Sequence, residues 1–302
     1  MTMAKSKITD FESIAHDREK RLRYFNEHKR LFDVENYYLL EKYEEFVEGQ
    51  KHNCLIECGI KINLDRFYAS RFNLGYLQKE GNKQHLVIGA FDFFRKIETR
   101  VEAKIDYQLI QDFLYGFDYN KITNVFVGVD ARAEIYESRV KLFIQMENYP
   151  EKVEEAMRFY GDSVETSEIR QLISYNNFLL VGVDFYLDGG TALELYPAVF
   201  EEDLHRADMW ELLGKMLPSK ALKLLKASDS LQIGFSKANN SKVFYFTPIN
   251  PSLFVDSLGN ETAKRVNAYY RDREVLNVVV AIQESELRQP SIQKLNMYYC
   301  LS

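Results

Sequence analysis

Pairs of short β-strands recur five times along this chain of 302 residues, and each pair follows a stretch of helical sequence. In nearly every strand, apolar residues occupy one set of alternate positions and polar or charged residues the other, which is typical of a strand with two different faces. In the first strand, Ile56, Cys58 and Ile60 alternate with Glu57 and Lys61. The predicted strand pairs are 55–62 with 67–75, 123–130 with 138–147, 180–187 with 192–199, 230–237 with 242–248, and 277–283 with 293–300.

Ten successive antiparallel strands constrain the fold because open sheets of that size curl, split or close. Helices lie between all the hairpins, so they must cover the apolar face, and the charged face then lines the inside. We predict an α+β fold with a closed ten-stranded antiparallel β-barrel, a polar lumen and a jacket of helices, built from five α-α-β-β repeats. Residues 1–302 are predicted to form a single domain, since dividing a barrel would open an edge. Residues 1–10 are expected to be loose.

Composition and charge exclude several classes of function. The net charge of -6, with lysines and arginines interspersed among acids, argues against a nucleic-acid partner. The sequence shows no signal-peptide pattern and no apolar run of about 18 residues, so we expect a soluble, cytoplasmic monomer that does not bind membranes. The three cysteines lack metal-site spacing and are interpreted as reduced packing thiols.

Histidine and metal chemistry are also disfavoured. The five histidines are His16, His28, His52, His85 and His205. All of them fall in predicted helices or loops, which argues against a histidine base or a zinc site in the lumen. The sequence contains no glycine-rich phosphate loop, no nucleophile elbow and no aspartate-rich pair of the kind that holds metal-bound diphosphates in helical isoprenoid synthases. We therefore expect no metal ligands among the protein side chains.

Several cations face the predicted lumen. Such a set suits a diphosphate, whose many oxygens accept charge-assisted hydrogen bonds. The candidate diphosphate ligands are Lys61, Arg71, Arg139, Lys141 and Lys237, with Lys242 near another strand end. Each cation alone could equally be a solvated or ion-paired group, so the hypothesis depends on the whole set.

Aromatic rings share this face. As the carbon–oxygen bond of an allylic diphosphate breaks, an allyl cation forms, and ring faces stabilise it while excluding water. The candidate shield consists of Phe143, Tyr186, Tyr196, Tyr245 and Tyr298. Phe126 also faces inward and could plug the floor of the cavity.

Carboxylates complete the candidate site. Glu57 faces inward on the first strand beside Gly59, which leaves room, and it is the candidate general base. Asp130, Asp184 and Glu194 are candidates for positioning an acceptor. The alternative is that these three acids simply neutralise the cations of the lumen.

Short segments along most of the chain carry a family resemblance. They are FDVE at 32–35, CLIECGIKI at 54–62, ASRF at 69–72, YPEK at 149–152, GVDFY at 182–186, LELYPAVFEEDL at 193–204, LKAS at 225–228 and GFSKANN at 234–240. In their order and spacing, on five helix-plus-hairpin repeats, they resemble the cyanobactin prenyltransferases. That family is the peptide-modifying branch of the ABBA prenyltransferases, which are named for repeated α-β-β-α units.

The resemblance implies a reaction and a set of roles. An isoprenyl group would pass from dimethylallyl or geranyl diphosphate to a side chain of a ribosomally made, usually macrocyclic peptide. Glu57 would act as the base, Arg71 and the strand lysines would hold the diphosphate, and tyrosines would shield the cation. Mg²⁺ would accompany the diphosphate, and the peptide would dock over one wide mouth of the barrel.

Donor length and acceptor class stay open at this point. The expected floor positions hold Gln232 and Val279, where members that use the five-carbon donor often carry large aromatics, and Phe143 stands where related fungal barrels have a tyrosine. Five-carbon and longer donors are therefore both candidates. One alternative is an enzyme that acts on a small phenol or indole, and another is a non-catalytic carrier of an anionic amphiphile. Glu57 beside the anion site favours an enzyme.

Overall fold

The computed structural model describes residues 18–50, 54–76, 82–100, 102–161, 163–238 and 241–301. The segment 1–10, which the sequence predicts to be loose, lies outside the described residues, as do His16 and His52. Within the described ranges, no helix is both long enough and apolar enough to cross a bilayer.

The strands form one closed antiparallel sheet, which confirms the predicted barrel. Residues Thr191–Tyr196 and Ala198–Val199 are two halves of one strand, because Pro197 between them has no N–H to donate to a neighbouring strand. Both halves pair with the same neighbour and so close the ring of ten. The strands are β1 (Cys54–Asn63), β2 (Arg66–Tyr76), β3 (Ile122–Asp130), β4 (Arg139–Glu147), β5 (Phe178–Tyr186), β6 (Thr191–Tyr196), β7 (Ala198–Val199), β8 (Ser228–Ser236), β9 (Val243–Pro248), β10 (Val275–Gln283) and β11 (Lys294–Leu301).

Helices surround the barrel, and most of them lie in the connections from one hairpin to the next. They are α1 (Arg18–Leu31), α2 (Tyr38–Glu48), α3 (Lys83–Ile97), α4 (Gln108–Leu114), α5 (Pro150–Tyr160), α6 (Val164–Asn176), α7 (Glu201–Leu204), α8 (Ala207–Met216), α9 (Ser219–Leu225), α10 (Pro251–Ser257), α11 (Glu261–Tyr270) and α12 (Glu284–Leu287). Local sequence fixes several helix starts: Pro150 and Pro251 occupy first-turn positions, where a missing N–H costs nothing. The side chains of Ser163 and Asn260 cap α6 and α11 by accepting hydrogen bonds from backbone N–H groups.

The two ends of the barrel differ. The turns of the five hairpins (β1–β2, β3–β4, β5–β6, β8–β9 and β10–β11) lie at one end, which we call the hairpin end, and the connections from one hairpin to the next lie at the other, which we call the helix end. The hairpin end carries the segments 64–65, 131–138, 187–190, 237–242 and 284–293. Consequently, residues early in β2, β4 and β11 lie near the hairpin end, and later residues lie deeper.

The apolar core lies outside the barrel wall, between the strands and the helices. Ile60 on β1, Leu142 on β4 and Met297 on β11 are fully buried on this outer face. Phe94 of α3 contacts Phe185 of β5, with ring centroids 5.3 Å apart. Because burial of the outer face stabilises the fold, the inner face is free to carry polar and charged side chains.

This arrangement predicts that leucines between the barrel wall and the helices contribute most to the free energy of unfolding. Leu142 is 0% exposed and Leu253 is 68% exposed. We expect Leu142→Ala to lower the free energy of unfolding by about 2–5 kcal/mol, because it removes buried methyl groups and leaves a cavity. The matched Leu253→Ala should change it by less than about 0.5 kcal/mol. Urea denaturation measures both, and equal effects would contradict an outer core.

Candidate active site

A cavity of about 460 Å³ lies inside the barrel, and residues from all ten strands of the ring line it. Most of the sequence-predicted site residues contribute to its wall. Those that line it are Glu57, Lys61, Arg71, Phe126, Arg139, Lys141, Phe143, Glu194, Tyr196, Gln232, Tyr245, Val279 and Tyr298. The alternation of the strands therefore identified one common surface.

Five of the predicted residues do not line the cavity: Lys237, Lys242 and Tyr186, and the two aspartates Asp130 and Asp184. Lys237 is exposed and its Nζ lies 5.4 Å from the centroid of the Tyr160 ring, so the prediction that it faces the lumen is wrong. Lys242 pairs with Glu168 outside the lumen, with 2.5 Å between Nζ and Oε2. Both lysines lie beyond strand ends, where alternation no longer fixes the direction of a side chain. Tyr186, predicted to shield a cation, instead accepts a hydrogen bond from an Arg139 nitrogen at 3.1 Å.

Asp130 forms ion pairs with three arginines. Its Oδ2 lies 3.1 Å from Nε of Arg71 and 3.1 Å from Nη2 of Arg139, and its Oδ1 lies 2.9 Å from Nη2 of Arg132. Arg71, Asp130 and Arg139 are direct neighbours across three strands. Burial alone would raise the pKa of Asp130, but the three arginines hold it below its usual range. The carboxylate is therefore ionised at neutral pH.

Asp184 forms ion pairs with Lys141 and with a second nitrogen of Arg139. Its Oδ1 lies 2.7 Å from Nζ of Lys141, and its Oδ2 lies 2.7 Å from Nη1 of Arg139. Burial would raise the pKa of Asp184, but Arg139 and Lys141 lower it. Neither this aspartate nor Asp130 lines the cavity, and both bind cations of the lumen, as the alternative expects. A role of either aspartate in positioning an acceptor stays a prediction.

The resulting cation cluster consists of Lys61, Arg71, Arg132, Arg139 and Lys141. Arg132 follows β3 in a loop, where the alternation of strands gave no signal for it. Burial lowers the pKa of Lys61, and the charges of Arg71 and Arg132 lower it further, so positive potential reaches Lys61 from its neighbours. Among the described residues, Lys61 forms no ion pair, whereas every other member is bound to a buried aspartate. Cations outnumber the two aspartates, and the cluster therefore offers an anion site.

Glu57 lies in the wall of the same cavity. Asn73 donates a hydrogen bond from Nδ2 to its Oε1 at 2.5 Å. Burial raises the pKa of Glu57, although the hydrogen bond from Asn73 and the charge of Arg71 oppose the shift. A buried carboxylate with a raised pKa is suited to accept a proton. Asn73 was missed from the sequence, although it shares the inward parity of Arg71 on β2.

An arc of rings faces the cavity, formed by Phe143, Tyr196, Tyr245 and Tyr298. Neighbouring ring centroids along the arc lie 6.0, 5.5 and 6.3 Å apart. Burial raises the pKa of the three tyrosines, so their hydroxyls stay neutral. Tyr196 donates a hydrogen bond to Glu194, whose Oε2 lies 3.9 Å from Nζ of Lys141. Glu194 thus joins the arc to the cation cluster.

The cations and the rings occupy successive depths. Along β4, Arg139, Lys141, Phe143 and Gln145 follow one another at alternate positions from the hairpin end. An anion bound by the cluster would therefore lie nearer the hairpin end, with a ring-lined space beneath it.

The expected floor residues lie beside the arc. Gln232 is opposite Tyr245 in the strand register, and Val279 is opposite Tyr298. Their role as the floor stays a prediction. Within the part of the chain that the structure describes, no group of three His, Cys, Asp or Glu side chains could hold a metal ion.

Solved structures with the same fold are found among prenyltransferases. AnaPT from Neosartorya fischeri has a TM-score of 0.59 and 12% identity, covering 94% of this chain and 93% of its own. The 6-dimethylallyltryptophan synthase from Micromonospora olivasterospora was solved in complex with DMASPP and Trp. It has a TM-score of 0.51 and 12% sequence identity, and the match covers 82% of this chain and 81% of its own. The 5-dimethylallyltryptophan synthase from Streptomyces coelicolor has a TM-score of 0.51 and 9% sequence identity, and the match covers 97% of each chain. The likeness shows that this chain has the ABBA barrel fold.

Sequence similarity places the chain in a family. No curated protein is significantly similar to it. A family model matches residues 19–301, which is nearly the whole chain and includes every strand of the barrel. The protein therefore belongs to that family, which is described as a family of unknown function (DUF5838).

Proposed function

We propose that this protein is a prenyltransferase that transfers an isoprenyl group from an allylic diphosphate to a side chain of a ribosomally made peptide, as in cyanobactin biosynthesis. One observation carries the proposal: four members of the cation cluster (Lys61, Arg71, Arg139 and Lys141), an arc of rings and the half-buried Glu57 line a single cavity. An anion-binding carrier needs the first two but gains nothing from Glu57. The fold shared with solved prenyltransferases supports the same conclusion.

The cation cluster would hold the diphosphate of the donor. Asp130 and Asp184 fix the guanidinium and ammonium groups before the donor arrives, so little side-chain freedom is lost on binding. Each charge-assisted contact contributes roughly 1.5–3 kcal/mol. These contacts strengthen as negative charge develops on the leaving oxygen, which favours ionisation.

The transfer then takes place between the arc and Glu57. The carbon–oxygen bond of the donor breaks, and its electron pair leaves with the diphosphate. The allyl cation lies against the rings, which stabilise it and exclude water. A nucleophilic atom of the acceptor supplies the electron pair for the new bond to the allyl carbon. The proton lost by the acceptor passes to the Glu57 carboxylate.

The acceptor class has two candidates. The sequence resemblance to peptide prenyltransferases favours a peptide, usually macrocyclic. The neighbours solved as dimethylallyltryptophan synthases favour a small aromatic acceptor. Labelled dimethylallyl and geranyl diphosphates, incubated with cyclic peptides or with tryptophan, separate these possibilities by mass spectrometry. Binding of donor without label transfer to any acceptor would instead favour the non-catalytic carrier.

Magnesium would reach the cavity bound to the diphosphate of the donor. The carboxylates in and behind the cavity wall do not fit a metal centre, because Asp130 and Asp184 are bound by cations while Glu57 and Glu194 are engaged by hydrogen bonds. Mg²⁺ prefers phosphate oxygens and water, so the diphosphate itself would coordinate it.

Lys61 gives a direct test of the anion site. Since Lys61 forms no ion pair with a described residue, removing its charge leaves no buried acid without a partner. We expect Lys61→Met to weaken donor binding about 10- to 150-fold, the equivalent of one charge-assisted contact. Calorimetric titration with the donor measures this. The exposed Lys215→Met is the control and should bind as the wild type does. Unchanged affinity in Lys61→Met would remove this residue from the diphosphate site.

Glu57 is tested by turnover. We expect Glu57→Gln to lower kcat about 10²–10⁴-fold while donor affinity stays near that of the wild type, since glutamine retains the shape but cannot take a proton. Glu211→Gln, which changes an exposed glutamate of α8, should leave kcat unchanged. Near-normal kcat in Glu57→Gln at saturating substrates would exclude the role of base.

The same substitution tests the burial of Glu57 through stability. Because burial raises the folded-state pKa of Glu57, its contribution to stability is fully present below the unfolded pKa of about 4.3 and is lost as the pH rises through the folded pKa. Glutamine cannot ionise, so Glu57→Gln should unfold at higher urea concentration than the wild type at pH 8. The difference should vanish near pH 4. A variant less stable than the wild type at pH 8 would contradict this.

A further inference from the structure

Rings of the cavity lie on glycines of neighbouring strands. A β-carbon added at Gly75 would lie 2.8 Å from two ring carbons of Phe126, and one at Gly182 would lie 2.8 Å from two ring carbons of Phe143. Side-chain carbons essentially never approach so closely. Each ring therefore occupies the space that any other residue would need.

These two glycines are not required by the backbone. Among the glycines that the structure describes, those with positive φ are Gly116, Gly161, Gly189 and Gly259, so Gly75 and Gly182 have φ values open to any residue. Glycine in a strand also weakens it, because it has no side chain to pack. Glycine at these two positions instead allows an aromatic ring to lie close to the backbone.

The four residues form one row across four adjacent strands. Gly75 on β2 is opposite Phe126 on β3, Phe126 is opposite Phe143 on β4, and Phe143 is opposite Gly182 on β5. Two inward phenylalanines thus stand side by side with a glycine on each flank. Each ring leans away from the other, over its own glycine, and lies along the wall instead of projecting toward the barrel axis.

Space continues beneath this row. Phe143 follows Lys141 at the next inward position of β4, and Gln145 follows Phe143. Gln145 and its cross-strand partner Leu180 both line the cavity, so it extends past the row toward the helix end. A hydrocarbon chain that starts at the cation cluster passes the row before it reaches Leu180.

We propose that this glycine–phenylalanine row (Gly75, Phe126, Phe143 and Gly182) sets the length of the isoprenyl chain that the cavity accepts. The glycines keep the passage to Leu180 open, so the cavity takes a donor longer than five carbons. The inference rests on the proposed function, and it assigns donor length to the row and not to Gln232 or Val279 alone.

Binding of inert donor analogues tests the row without turnover. Titration calorimetry compares the S-thiolodiphosphates of dimethylallyl and geranyl alcohols. The wild type should bind both. Gly75→Ala and Gly182→Ala each push a ring toward the axis, and we expect each to weaken the geranyl analogue at least about tenfold while the dimethylallyl analogue changes less than about threefold. Gly89→Ala, on α3 with open space around it, is the control and should change neither.

A compensating variant separates obstruction from misfolding. Gly75→Ala combined with Phe126→Leu removes the displaced ring and should restore affinity for the geranyl analogue. If the alanine variants unfold on thermal denaturation, Leu180→Phe narrows the space beyond the row without touching a glycine, and it should weaken only the geranyl analogue.

The outcomes that overturn the inference are distinct. A wild type that binds both analogues, with variants that keep the same ratio of affinities, overturns the row and leaves the proposed function standing. A wild type that binds only the dimethylallyl analogue contradicts the inference that the passage to Leu180 is open. A wild type that binds neither analogue overturns both the row and the proposed function.

Discussion

Two buried aspartates allow like charges to be concentrated on one wall of the barrel. Two cations 4 Å apart repel by about 4 kcal/mol at an effective dielectric constant of 20, so Arg71, Arg132, Arg139 and Lys141 could not share this wall unaided. Asp130 and Asp184 lie among them and bind each one directly. The remaining positive potential faces the cavity. The anion site, the depth order of the lumen and the placing of the rings beneath it all follow from this arrangement.

The polar lumen depends in turn on an apolar exterior. Since the helices bury the outer faces of the strands, the barrel does not need its interior for stability. Substitutions inside the cavity therefore alter binding with limited loss of packing, whereas changes such as those at Leu142 act on the fold. Polar groups inside the barrel can lower the stability of the fold, and Glu57 is an example. A carboxylate with a raised pKa is useful for proton transfer, but its ionised form is unfavourable for folding.

The sequence predicted the fold and much of the site because strand alternation is a strictly local signal. It placed Glu57, Arg71 and Lys141 correctly on the inner face. It failed for Lys237, which lies in a turn, and it missed Arg132, which lies in a loop, because neither segment has a period of two. It also left the roles of the aspartates open, since ion pairing depends on distances between strands. The space beside Gly59, expected to be vacant, is taken by the Tyr298 ring, which only the register of β1 with β11 reveals.

Pro197 gives the barrel an uneven seam. Every other strand of the ring is continuous, but β6 and β7 share one partner across a break, and the N–H of Ile233 on β8 donates to the carbonyl of Pro197 itself. Fewer residue pairs are in register across this seam than between β1 and β11. Backbone amides along it will exchange with solvent sooner than those on the opposite side of the cylinder, since local opening begins where the ladder is thinnest. Opening of the cylinder is therefore expected to begin at the seam beside Tyr196 and not at the wall that carries the cations.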